Sequence, residues 1–355
     1  MTLKFGMAVS GLVLMTACAS TNLNDQYAKV YPVAETEAVA SSGDAADDPA
    51  IWVNSESPED SRLLGTDKQA GLYVYDLSGA VQQFLPYGEL NNVDLRQQVV
   101  FGVGNGVDLA AATNRTINGV SLFQVSSTGE VSEAGDFPVE RIEPYGLCVG
   151  YDENGYRVFV TYKTGHVEIY EISKAASGAA YDAELASTLK LNTQLEGCSY
   201  DETQDVLFVG EEAFGLWRID LRGNEELARR PIDTVESGTG LVADVEGVDI
   251  WRDTADAGYL VASAQEGDRY IVYERAVPNR WVGTFSIQMS PDELLDGVTH
   301  TDGLTISSAK LGSEFPEGLL VVQDDADGKN AESQNFKLVS WKDVIEALAA
   351  PKIAP

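Results

Sequence analysis

Residues 195–220, LEGCSYDETQDVLFVGEEAFGLWRID, decide the fold. An acidic residue and a small one open a short alternating run, and two further apolar runs, LFVG and GLWRI, face each other across a polar turn. A period of two interrupted by polar turns belongs to antiparallel strands and not to helices. The unit recurs. Its opening motif stands at Asp48 (DPAIW), Asp94 (DLR, after Asn91-Asn92), Tyr145 (YGLCV), Glu196 (EGCSY), Glu246 (EGVDIW) and Asp302 (DGLTI), at spacings of 46, 51, 51, 50 and 56. A hairpin with a polar turn follows each, with Lys68, Arg115, Lys163, Glu211, Gln265 and Asp324 as turn markers. Six units of about fifty residues, each with at least three strands, predict an all-β, six-bladed β-propeller.

The composition agrees. Thirty-three Gly, 12 Pro and 31 aromatic residues suit short strands and tight turns, and 44% apolar content in 355 residues is enough for a large core. The last unit ends at LVSW (338–341), and the following DVIEALAA has helical periodicity, so this unit lacks an outer strand. The stretch KVYPVAETEAV (29–39) is expected to supply it, closing the ring by pairing N- and C-terminal strands and hiding two edges. With 24 Lys+Arg against 56 Asp+Glu, the net charge of −32 repels polyanions and excludes a nucleic-acid footprint, so any bound anion needs local cations.

The start of the chain differs in kind. Lys4, the apolar stretch from Phe5 to Met15 and Met15-Thr16-Ala17-Cys18 read as a bacterial lipoprotein signal over 1–17, with an ordinary secretory signal as the alternative. Residues 18–30 are then a tether and 31–355 the propeller. The protein is expected to be exported and lipid-anchored in the bacterial envelope at the outer membrane, or periplasmic. It is expected to be a monomer whose only membrane contact is that lipid. An oxidising compartment permits Cys148 and Cys198 to pair, but their apolar, strand-like contexts favour buried free thiols.

In a propeller the start of each innermost strand and the turn between the second and third strands share one channel mouth. An inner ring of Asp48, Asp94, Tyr145, Glu196, Glu246 and Asp302, with Asp244 nearby, is therefore expected inside an outer ring. The outer ring carries Lys68, Arg115 and Lys163 on one side and Glu211, Glu212 and Asp324 on the other. Crowded carboxylates repel unless protonated or neutralised. Oxygen-only donors in a wide ring favour Ca²⁺. The alternative is that these acids merely cap strands and solvate loops. The loop QDDADG (323–328) departs from an EF-hand at Gln323 and Gln334, and is an irregular calcium loop at best. Only two histidines, His166 and His300, leave little material for a zinc site or a Ser-His-Asp triad. Gly102–Gly106 (GVGNG) lacks the helix of a dinucleotide fingerprint and reads as a turn.

Seven blocks carry a further likeness: Asp44 to Trp52 (DAADDPAIW), Leu90 to Arg96 (LNNVDLR), Ala112 to Arg115 (ATNR), Gln194 to Gly197 (QLEG), Asp244 to Gly247 (DVEG), Thr301 to Gly303 (TDG) and Gln334 to Lys337 (QNFK). In order and spacing, over residues 33 to 342, the chain resembles the β-propeller phytases, calcium-dependent hydrolases of inositol hexakisphosphate. The resemblance implies several calcium ions at the mouth, held by Glu35, Tyr145, Glu196, Glu211, Asp244, Glu246 and Asp302, with Glu212 and Asp324 on the acidic side. Asp47, Asp48 and Asn335 would lie near tighter structural calcium sites. Lys68, Arg115 and Lys163, with Arg96 and Gln265, would bind the phosphates of phytate or another inositol phosphate. A single lysine, Lys68-Gln69, stands where the family often has two, and the loop after Gln323 is shorter. Direct attack by a calcium-activated water needs no enzyme nucleophile. A calcium propeller lactonase or esterase would not need the three cations, and a non-catalytic binding propeller would need neither ring.

Overall fold

In the computed structural model, which describes residues 27–175, 180–222, 228–328, 330 and 332–350, six antiparallel sheets form the six blades. The signal expected over 1–17 and Cys18 lie outside the described residues. The innermost strands are Ala46–Trp52, Leu90–Val99, Leu147–Asp152, Leu195–Asp201, Val248–Arg252 and Leu304–Ser307. Each pairs with the next strand in sequence, so every blade is a meander with local connections. The core lies between blades, where Val, Leu and Tyr side chains of facing sheets interdigitate and are buried almost completely.

The ring closes as expected. Ala34–Glu35 pairs antiparallel with Asn335–Ser340, with Ala34 opposite Leu338 and Glu35 opposite Lys337, completing the sixth blade. Ala28–Val30, assigned from the sequence to the tether, adds a fifth, parallel strand to the edge of blade 5. The helix Trp341–Ala349 buries Trp341 and Val344 and stacks Trp341 on Trp251, with centroids 5.9 Å apart. Among the described residues, no helix is long and apolar enough to cross a membrane.

The expectation of free thiols is overturned, because Cys148 and Cys198 form a disulfide. Neighbouring innermost strands run side by side along the channel, which brings two cysteines 50 residues apart to a Cα separation of 5.5 Å, within the roughly 4.4–6.8 Å that a disulfide spans.

At the opposite end of the blades, Arg275 is fully buried and its guanidinium forks onto both oxygens of Asp201, each at 2.6 Å. Burial would raise the Asp201 carboxyl, but the bonds and charge of Arg275 hold it below its ordinary value. Arg275→Met leaves that carboxylate buried and unpaired, and should lower the unfolding free energy by about 3–5 kcal/mol in urea at pH 7. Because the Asp201 pKa is depressed in the folded state, the pair contributes above the unfolded value of 3.8 and its contribution is lost as pH falls through the folded value. The gap between variant and wild type should narrow in acid.

Candidate metal centre at the channel mouth

Strand pairing fixes which residues are equivalent from blade to blade. Ala46 opposite Asp67, Leu90 opposite Asn114 and Leu195 opposite Glu211 define one ladder level. One step on, Asp47, Asn91, Tyr145, Glu196, Glu246 and Asp302 form the inner ring. Four of the six expected members stand in it, but Asp48 and Asp94 do not. A β-bulge follows the opening residue of blades 1, 2 and 4, inserting a residue that the spacing of motifs cannot register. Asp48 and Asp94 point down the channel wall, where Asp48 Oδ2 accepts the Val93 N–H at 3.1 Å and Asp94 Oδ2 accepts the Val149 N–H at 2.9 Å.

The turn level is corrected in the same way. The residues equivalent to Lys68, Arg115, Lys163 and Gln265 are Glu212 and Asp325, not the expected Glu211 and Asp324. Glu211 anchors the loop before blade 4 instead: its carboxylate accepts from Asn192 N (3.0 Å), Thr193 N (2.6 Å), Thr193 Oγ1 (2.8 Å) and Trp217 Nε1 (2.7 Å). That leaves Glu212 with a buried, unpartnered Oε1.

Close approach of the blades requires glycine beside the ring. A Cβ at Gly146 would stand 2.0 Å from the Glu196 carbonyl oxygen, and one at Gly197 would stand 2.0 Å from that of Glu246. The result is a cluster in which carboxylate oxygens of Glu196, Glu212 and Glu246 lie within 4.8 Å of one another, all three side chains buried. Asn91 Nδ2 donates to Glu196 Oε1 at 3.0 Å. Asp47 Oδ1, Glu246 Oε2 and Asn91 Oδ1 are buried without a hydrogen-bond partner, and Asp47 Oδ2 has only the ion pair with Lys68 at 3.2 Å. Burial and then the field of Asp47 push Glu196 up to about 7, its hydrogen bond with Glu246 opposing. Burial and the charges of Glu196, Asp302 and Glu212 raise Glu246, and burial and Asp244 raise Glu212 to about 7. Asp244 is half-buried, and its carbonyl accepts the Gln265 N–H at 3.0 Å.

The cations are unequal. Lys68 Nζ reaches Asp302 (2.9 Å), Asp47 (3.2 Å) and Asp44. Lys163 is exposed, with Nζ 4.1 Å above the Tyr145 ring. Arg115 is half-buried, and its Nε has no partner. Gln265 Nε2 donates to Asp302. Arg96 is not brought to this mouth: five residues beyond Asn91, about 16 Å along an extended strand, it pairs with Asp94 (3.0 Å) and Glu202. Glu35 is not in the ring either. Its pairing with Lys337 puts it on the outermost strand of blade 6, where it meets Asp296 and Asp327. Lys337 Nζ contacts Glu35 (2.5 Å), Asp296 and Asp324 (3.2 Å), and Asn335 Oδ1 nearby is buried and unpartnered. Sequence reading missed Asn91, Asp325, Asp296 and Asp327. Aligning Asn91-Asn92 with Asp47-Asp48 would have found the first, but no local signal marks the last two.

Three buried carboxylates gathered within 4.8 Å, two of them with an oxygen that lacks a hydrogen-bond partner, fit a cation, and a donor set without sulfur or nitrogen fits a hard divalent one. Glu196, Glu212 and Glu246 would hold it, with Asp47, Asp302 and Tyr145 around them.

The family model described as Phytase matches residues 2–353. A 3-phytase of Bacillus subtilis (strain 168) is 34% identical over 354 residues, covering 96% of this chain and 91% of that protein. A solved luciferin-regenerating enzyme shares the fold, with a TM-score of 0.52 at 12% identity over 87% of this chain and 96% of that one.

The raised carboxyls set a pH dependence. Their folded values, about 7 for Glu196 and Glu212 and about 8 for Asp302, lie above the unfolded ones, so the metal-free folded chain holds protons that the unfolded chain has lost. In chelator, the melting temperature should fall as pH rises from about 5 to 8, and a bound divalent cation should flatten that slope. Glu246→Gln should flatten it without metal, by removing one of the mutually repelling charges.

Proposed function

The chain belongs to the phytase family, phosphoric monoester hydrolases, and from that premise we propose that calcium and three turn cations divide its channel mouth into two working halves. The supporting observation is the ladder equivalence of Lys68, Arg115 and Lys163 on blades 1 to 3 with Glu212, Gln265 and Asp325 on blades 4 to 6. One arc attracts phosphate, and the other gathers the carboxylates. Ca²⁺ on the acidic side would neutralise those carboxylates, bind phosphate oxygens and lower the pKa of a bound water.

The side chains of the chain supply orientation. Arg115 offers a planar fork with a free Nε to two phosphate oxygens, and Lys68 and Lys163 flank it as point charges. These cations stabilise negative charge on the equatorial oxygens as water bonds to phosphorus and the ester P–O bond breaks. The inositol oxygen leaves with a proton. The asymmetry also overcomes the net charge of −32, which would otherwise repel a polyanionic substrate such as phytate.

We further propose export through the signal at 1–17 and anchoring at Cys18. The Cys148–Cys198 disulfide supports an oxidising destination. Cys18→Ala should move the protein from the membrane to the soluble fraction of the envelope.

With phytate as substrate, excess chelator should abolish phosphate release and added Ca²⁺ should restore it. Arg115→Lys should keep calcium-dependent melting while lowering turnover by roughly tenfold or more, as loss of one oriented charge contact does. Unchanged phytate hydrolysis in both Arg115→Lys and Arg115→Ala would refute the clamp. Calcium-dependent cleavage of a lactone panel without phosphate release would instead favour a lactonase.

A further inference from the structure

The channel wall is fastened at each seam between blades. Asp48 Oδ2 takes the Val93 N–H from blade 2 (3.1 Å), and Asp94 Oδ2 takes the Val149 N–H from blade 3 (2.9 Å). Ser199 Oγ donates to Asp249 of blade 5 (3.0 Å), Asp249 Oδ2 takes the Ile306 N–H from blade 6 (2.7 Å), and Gly303 N–H donates to the Asp47 carbonyl of blade 1 (3.1 Å). Between blades 3 and 4 the link at this level of the wall is the Cys148–Cys198 disulfide. Cys148 occupies the ladder level of Asp94, Ser199 and Asp249, so a covalent bond stands where three other blades use a polar side chain.

This seam separates two inner-ring residues. Tyr145 lies three residues before Cys148, and Glu196 lies two before Cys198. Thr161 reaches both: its carbonyl accepts the Tyr145 N–H at 3.0 Å, and its Oγ1 donates to the Glu196 carbonyl at 2.6 Å. Gly146 lets these backbones touch. Glu196 also faces the buried carboxylates of Glu212 and Glu246, with oxygens of all three within 4.8 Å of one another, so a small shift of its strand changes their spacing.

We propose that the Cys148–Cys198 disulfide, together with Thr161, is a positioning device that sets Tyr145 against Glu196 and so fixes the calcium affinity of the mouth. This rests on the calcium reading above. Neither cysteine touches substrate, and the effect passes through the two ring residues.

The test is calorimetric titration of Ca²⁺ into chelator-stripped protein, well below the melting temperature. It compares wild type, Cys148→Ala/Cys198→Ala, Thr161→Val and Thr161→Ser. The double variant and Thr161→Val should each weaken calcium binding by about tenfold or more, the range for residues that orient metal ligands, and Thr161→Ser should restore it. The phytate KM at saturating Ca²⁺ should stay unchanged. If the double variant does not fold, wild type reduced with a dithiol and alkylated in the folded state, with its circular dichroism retained, replaces it. A bond with a merely structural role lowers the melting temperature in chelator but leaves calcium affinity at the wild-type value, and that result overturns the proposal. Absence of calcium binding in the wild type itself overturns the calcium reading, a failure distinguishable from the first.

Discussion

Everything at the working end of this molecule follows from one electrostatic constraint: carboxylates of Glu196, Glu212 and Glu246 are buried within 4.8 Å of one another. Isolated charges in such surroundings are unfavourable by several kcal/mol each, so they must be protonated, paired or metal-bound. Lys68 partly meets the need by touching Asp44, Asp47 and Asp302. One ammonium cannot also satisfy blades 4 and 5, where Glu246 Oε2 and Glu212 Oε1 remain without donors. The fold tolerates this local conflict because the strands beneath are fixed by ladder bonds and by interblade cores that do not depend on the mouth.

The same repetition that creates the conflict makes it useful. A propeller gives each blade one ring residue and one turn residue at the mouth, so charge can be assigned blade by blade without altering the backbone. Three adjacent blades carry Lys68, Arg115 and Lys163, and the next three carry Glu212, Gln265 and Asp325. An acidic protein thereby acquires an arc that receives a polyanion beside an arc that receives cations. Alternating the two types around the ring would have cancelled both fields.

Architecture was legible in the sequence because a blade is a local object: its strands are consecutive, its turns polar and its period about fifty residues. The closing strand was legible too, since an unfilled edge in blade 6 needed a partner and 29–39 was the available stretch. Tyr145, Glu196, Glu246 and Asp302 follow directly from the motif. Errors arose on the bulged strands of blades 1 and 2, where the ring holds Asp47, one residue before the assigned Asp48, and Asn91, three residues before the assigned Asp94. Glu211 and Glu212 are chemically alike, and only the hydrogen bonds of Thr193 and Trp217 tell the loop-anchoring one from the mouth-facing one. The disulfide, the removal of Arg96 to the far end and the grouping of Glu35 with Asp296 are contacts between residues at least fifty apart or far along one strand. No local pattern carries such information.

The placement of glycine shows how packing and function meet. At Gly146 and Gly197 the following blade presses its ring carbonyl to within 2.0 Å of where a Cβ would be, so any larger residue would push neighbouring ring members apart. Blades 5 and 6 repeat the choice at Gly247 and Gly303, whereas blades 1 and 2 carry Asp48 and Asn92 at the same level. The acidic ring therefore sits where the backbones of neighbouring blades approach closely. Its carboxylates converge because the backbone there has no side chain to hold them apart, and that convergence creates the demand for a cation.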